Sequence, residues 1–233
     1  MNKSLTISIM QGKSEKFKKR EELLLNAADQ IIKEEGLISF RFSQLAKRAN
    51  CSMGTLYSHF INKEDLLVTL MAKETQRLLV MHTSVLCMKL RPAETWLTLN
   101  LLPFISPNRF STSISVLAEL PQISASASEE RQEQLRKQLI PFCQGTKRFL
   151  QRAKLQGELL SSDEQIALCR NTVLCIQRGA MALSTTLILE EEPASLKPIP
   201  LYNILFEVIN NLQWQHPLDN TSHTRIESAL SQL

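Results

Sequence analysis

The chain has 233 residues, a net charge of +4 and 43% hydrophobic residues. Those values suit one large or two modest packed domains and exclude a disordered or low-complexity chain. No apolar run reaches the roughly 18–20 residues of a membrane span. The stretch Leu5–Met10 behind Lys3 is too short and too polar for a signal peptide, so a soluble cytoplasmic protein with no membrane partner is expected.

The five cysteines are scattered and form no Cys-x-x-Cys pair, which argues against a disulfide scaffold and reads them as small apolar core residues. Glycines number only six, while Leu, Ala, Gln, Glu, Lys and Arg are abundant. With no convincing alternation of β-branched residues, an all-α fold is expected. Positive charge is concentrated towards the N-terminus, in Lys16, Lys18, Lys19 and Arg20.

In chain order, residues 1–15 read as a flexible tail. Phe17, Leu24, Ala27, Ala28, Ile31 and Ile32 then recur at helical spacing, and Gly36 suits the left-handed position that closes a helix. A short helix follows over 42–49, with Phe42, Leu45, Ala46 and Ala49 on one face. Asn50 and Cys51 make a tight corner, since Asn is the non-glycine residue most tolerant of positive φ. Ser52 caps a second short helix over 53–59, whose Leu56 and Phe60 face inward. Asn62 caps the next helix, with Glu64 and Asp65 in its first turn, running into the low eighties. Pro92 opens a helix ending near Pro103, and 107–120 reads as another closed by Pro121. Residues 128–157 form a long amphipathic segment with a kink or break expected at Pro141. Further helices are expected over 163–189 and 201–215. The domains read as a helix-turn-helix unit over 16–66, a larger helical unit over 67–216 and a polar tail over 217–233.

Three short helices, the second and third joined by a tight turn, match a helix-turn-helix. The second piece of that motif exposes Ser52, Met53, Thr55, Tyr57, Ser58 and His59, a set suited to phosphates and base edges. Gly54 lets backbone approach a ligand closely. Spacing alone leaves Tyr57 open between core and surface, and reads His59 and Lys63 as ordinary surface residues. Met53 is a core filler by type, but its place after the cap exposes it.

The run Ala27-Ala28, Gly36, Leu45-Ala46, then Ala49 to Phe60 and Lys63-Glu64-Asp65-Leu66 resembles the DNA-binding domain of the tetracycline-repressor (TetR) family. The resemblance covers about a fifth of the chain. Two departures stand out: Asn50-Cys51 replaces the usual Gly-Val, and Phe40-Arg41-Phe42 stands where a Ser or Thr cap is common. Either that cap is lost, or Ser39 or Ser43 partly compensates for it.

The resemblance implies a dimeric repressor that binds double-stranded DNA at a palindromic operator and is released by a small-molecule effector. It implies base contacts from Met53, Thr55 and Ser58. Phosphate contacts would come from Arg41, Ser43, Gln44, Ser52, Gly54, Tyr57, His59 and Lys63. The homodimer would form through the last long helices, including Ile176, Met181, Leu183, Leu187, Ile204, Leu205, Val208, Ile209 and Leu212. The effector would sit among Trp96, Phe104, Phe110, Phe142 and Phe149. A C-terminal unit that binds a protein partner instead of a small molecule is the alternative. His82, His216 and His223 stand apart from any cluster with metal spacing. No phosphate loop or catalytic motif is present, so no enzyme, metal or cofactor is expected.

Overall fold

The computed structural model describes residues 3–105, 121–183 and 201–231, with side chains over 14–104, 121–180 and 201–231. Its regular elements are helices: α1 (Lys3–Glu35), α2 (Phe42–Arg48), α3 (Met53–Tyr57), α4 (Lys63–Leu86) and α5 (Pro92–Ile105). Residues 121–126 form α6; then come α7 (Glu129–Leu155), α8 (Asp163–Leu183), α9 (Leu201–Asn210) and α10 (Ser222–Leu230). An isolated antiparallel bridge joins Leu159 to Trp214. The fold is all-α.

The described residues fall into two compact units, 3–71 with 121–135, and 72–105 with 136–183 and 201–231. The first therefore includes a stretch from mid-chain that a boundary near 66 does not anticipate. α1 starts at Lys3, so residues 3–15 are helix and not a loose tail; no proline interrupts them. Leu24, Leu25, Ala28, Ile31 and Ile32 are its buried stripe. The helix stops where Gly36 takes a φ of 82° and returns its N–H to the Ile32 carbonyl at 2.9 Å. With Phe40, Leu45, Leu56, Phe60, Leu66, Leu67 and Leu70, that stripe forms the buried interior of the first unit.

In the second unit Trp96, Leu97, Leu101, Leu150, Val173, Leu205, Ile209 and Trp214 belong to one apolar cluster. The Trp96 and Trp214 rings lie 6.0 Å apart. α7 runs unbroken through Pro141. The lost N–H bond of an internal proline costs about 3 kcal/mol, which burial of Leu135, Leu150 and Ala153 along this helix offsets. The helix expected over 107–120 lies outside the described residues; residues 121–126 are helical. Nor do the cysteines share one environment. Cys169 is buried, which pushes its thiol up to about 11, whereas Cys87, Cys143 and Cys175 are exposed.

The expected polar tail is a structured element. Leu218, Ser222, Ile226 and Leu230 recur every fourth residue, so one face of α10 is continuous with the Leu218 turn. Leu218 and Ile226 are in the buried cluster and Leu230 packs against it. The buried Glu94 carboxylate accepts bonds from Arg91 N–H at 3.1 Å, Ser222 Oγ at 2.9 Å and Arg225 Nε at 2.7 Å. Beside them, the Thr221 hydroxyl and N–H, with Arg91 and Arg225, hold the Asp219 carboxyl well below the usual carboxylate range. If α10 is integral, Ile226→Ala should destabilise the protein by about 2–5 kcal/mol. Ile38→Ala, at 86% exposure, should change stability by no more than about 0.5 kcal/mol in the same urea titrations.

His82 on α4 is also buried. It hydrogen-bonds the Leu99 carbonyl, whose regular helical donor would be residue 103; that residue is Pro103 and has no N–H. Its ring lies 4.6 Å from Phe142. Burial lowers the imidazole to about 4 from an ordinary value of 6.5. Between those values the unfolded chain binds a proton that the folded chain does not. The stability that His82 contributes is therefore complete above pH 6.5 and lost as pH falls towards 4. Unfolding free energies measured across that window should vary less with pH in His82→Gln than in the parent.

Candidate nucleic-acid interface

The geometry of α2 and α3 starts with Asn50, the one non-glycine residue with positive φ (47°) among the described residues. This left-handed step lets Cys51 N–H bond the Ala46 carbonyl at 3.0 Å and turns the chain sharply from α2 into α3. Ser52 is the N-cap: its Oγ accepts from Thr55 N–H at 3.0 Å and lies 2.9 Å from the Thr55 hydroxyl. Leu56 and Phe60 are fully buried, so the opposite face of α3 is forced outward.

That outward face carries Met53 and Tyr57, 38% and 53% exposed, with Ser52, Gly54 and Ser58 also exposed. The Tyr57 ring packs 5.7 Å from Phe42, which steadies it while its hydroxyl end faces out. Ser58 Oγ donates to the Thr55 carbonyl at 2.6 Å, leaving the hydroxyl oxygen free to accept. Thr55 is half-buried.

Other expected contact residues are placed differently. His59 is buried, not on the exposed face. Phe17 stacks on its ring at 3.9 Å, and its Nδ1 lies 3.5 Å from Glu21. The spacing of α3 alone exposes His59, but the chain leaves helix after Tyr57 and the long α1 covers the ring. Lys63 donates to the Leu37 carbonyl at 2.8 Å, 5.7 Å over the Phe40 ring, which engages its ammonium with the protein. Gln44 is part of the cap of α2, accepting from Arg41 N–H at 2.8 Å and donating to Glu35 at 2.6 Å. Neither Ser39 nor Ser43 takes that role; Arg41 is the N-cap residue. The Arg41 guanidinium donates to the Ile38 carbonyl at 2.6 Å yet remains exposed, as does Ser43.

Residues 24–70 match the family of bacterial regulatory proteins described as the tetR family. That stretch of 47 residues is a TetR-type DNA-binding domain. Several solved structures share the fold. A TetR/AcrR-family regulator from Thermobifida fusca is 16% identical, covering 82% of this chain and 94% of its own, with a TM-score of 0.55. AibR, solved with isovaleryl coenzyme A and operator DNA, is 17% identical over 83% of this chain and 97% of its own, with a TM-score of 0.54. RolR, solved with resorcinol, is 15% identical over 93% and 95%, with a TM-score of 0.56. The comparison with curated proteins finds no match. The matched domain is of a DNA-binding type, and among the described residues no helix is long and apolar enough to cross a membrane.

Of the expected effector residues, two share the large apolar cluster of the second unit. Trp96 is buried in the large cluster and Phe149 packs against it, Phe142 lies against His82, Phe104 is half-buried, and Phe110 lies outside the described residues. Sequence reasoning also missed Glu21 and Arg131, which meet in the first unit beside His59. Arg131 follows Glu129-Glu130 in an amphipathic segment and has the local pattern of a solvated helix start, so nothing nearby in sequence marks it.

Gly54 permits a clean test of the exposed face. A Cβ there meets only Ser52 Oγ, at an ordinary 3.8 Å, and Ala in a helix is favoured over Gly by about 0.5–1 kcal/mol. Gly54→Ala should leave the melting temperature unchanged or raise it, while weakening binding to DNA that the backbone approaches. Thermal melts beside DNA titrations check both halves.

Proposed function

We propose that this protein is a TetR-family repressor that binds a palindromic operator as a homodimer in the cytoplasm and is released by a small molecule held in its second unit. The observation that carries the reading is the exposed face of α3. The Asn50 turn and the buried Leu56 and Phe60 force Met53, Tyr57 and Ser58 outward together. Met53 offers apolar contact to a thymine methyl and Ser58 a hydroxyl to several base edges. Tyr57, Ser52 and the Gly54 backbone suit phosphates, with Arg41 and Ser43 flanking.

Dimerisation is supported by α8, where Leu168 and Leu174 are 68% and 52% exposed and the exposed Cys175 lies two turns on from Leu168. These differ from the residues expected at the interface. Leu205, Ile209 and Leu212 are buried in the unit's own core, and Ile176 and Val208 pack against it. Ile204 is half-buried; the side chains of Met181, Leu183 and Leu187 lie outside those described. A two-fold dimer presents two copies of α3 to half-sites about 34–36 Å apart, or a multiple of that.

For the effector, two buried polar atoms of the second unit, His82 Nε2 and Trp96 Nε1, have no hydrogen-bond partner among the described residues. Buried groups left so are costly, and a bound molecule with a donor and an acceptor would relieve them. AibR and RolR, of similar fold, were solved with small molecules. The effector must bind the DNA-incompetent state more tightly, since otherwise it shifts no population.

Selection of DNA fragments by the purified protein tests the reading, with Met53→Ala and Ser58→Ala beside the parent. The parent should select a palindrome, and each variant should lose preference at one position per half-site, at about 1–3 kcal/mol. Unchanged motifs and affinities in both variants would move base reading to Arg41 and Ser43. Light scattering should give a dimer. A small-molecule screen by melting temperature separates this reading from one in which the second unit binds a protein partner.

A further inference from the structure

α3 has five residues, too few for a helix to be stable by itself, so its direction is set by what grips its two ends. The Ser52 cap and the Asn50 turn hold the first end. At the other end, Arg131 Nη2 donates to the His59 carbonyl at 3.0 Å. The same guanidinium forks onto Glu21, Nη1 to Oε1 at 3.1 Å and Nη2 to Oε2 at 2.9 Å. It also lies 5.4 Å from the centre of the Phe60 ring. A further Nη1 bond goes to Gln134 at 3.1 Å. The side chains of Arg131, Glu21 and His59 are only 14%, 18% and 3% exposed. Phe17 closes the assembly by stacking on His59.

The same mid-chain stretch grips the start of α4. Asn62 Nδ2 donates to the Ser126 carbonyl at 2.9 Å, and Ser128 N–H donates to Asp65 at 2.7 Å. Asp65 in turn accepts from Ile61 N–H at 3.2 Å, on the short link between α3 and α4. Three bonding sites on 126–131 thus bracket residues 59–65, the exit from α3. All lie within the first unit.

We propose that Arg131 is a positioning residue for DNA reading: it locks the exit of α3 to α1, making the mid-chain stretch 126–131 a working part of the DNA-binding unit. The inference rests on the DNA-reading role of α3 given above. Only a guanidinium meets the geometry, because it forks onto a carboxylate while keeping a donor for a carbonyl and a flat face for an aromatic ring. An ammonium keeps the charge but loses the fork. Arg131 touches no DNA in this scheme, so removing it leaves the number of phosphate contacts unchanged.

The test compares the parent with Arg131→Lys, Arg131→Ala and Glu21→Gln. Each is titrated with the duplex the parent selects and with a scrambled duplex of equal length, over a range of salt. Folded fraction is followed by circular dichroism. The expected result is a loss of roughly tenfold or more on the selected duplex, the size of one lost base-pair contact. Binding to the scrambled duplex should stay within about twofold and the salt slope should be unchanged, because both count phosphate contacts. Equal losses on both duplexes, tracking the folded fraction, would make Arg131 a fold residue only, and no change on either would make it idle. Should Arg131→Ala fail to fold, Arg131→Lys and Glu21→Gln decide the matter. A parent that prefers no duplex would instead overturn the DNA-reading role itself, and this inference with it.

Discussion

A five-residue helix makes too few internal hydrogen bonds to offset the backbone entropy of forming it. The exposed face of α3 is therefore held in place only because Leu56 and Phe60 are buried. Everything that presents Met53, Tyr57 and Ser58 follows from that constraint. Asn50 accepts a left-handed conformation so that α3 can turn back onto α2. Ser52 answers an orphan N–H at the start, and Phe42 supports Tyr57 from below.

Several of the polar groups that burial traps are answered by partners distant in sequence. Glu94 is met by Ser222 and Arg225, Glu21 by Arg131 and Asp65 by Ser128. The Leu99 carbonyl, lacking the N–H that Pro103 cannot supply, is met by His82. An unpaired buried charge is strongly destabilising, so each pairing makes two remote segments interdependent. That is how a residue at 131 comes to belong with a helix at 53–57, and how a polar C-terminal segment becomes part of the second unit. His59 Nδ1, His82 Nε2 and Trp96 Nε1 stand out against this pattern because no described residue answers them.

Local signals were legible wherever the chain decides its own conformation. The Gly36 stop, the Asn50 turn, the Ser52 and Asn62 caps and the inward Leu56 and Phe60 all follow from residue type and spacing, and the structure has each of them. The cap of α2 was misjudged because Gln44 reaches back from three residues on, a role also open to Ser39 or Ser43 by composition. α10 was missed because its apolar positions, Ile226 and Leu230, are sparse among polar residues. The four-residue spacing with Leu218 and Ser222 was the available signal.

From the sequence alone came the helical class, the helix-turn-helix and the family, since these depend on periodicity, turn chemistry and a compact motif within about fifty residues. Tertiary structure alone decided that His59 lies beneath Phe17 and not at the surface, that Lys63 and Gln44 bond the protein's own backbone and carboxylates, and that Arg131 stands behind α3. The reason is physical: helical spacing says which side chains share a face, whereas their exposure depends on what other segments lay over that face. In this chain the covering residues, Phe17 and Arg131, come from far along the sequence on either side of the motif.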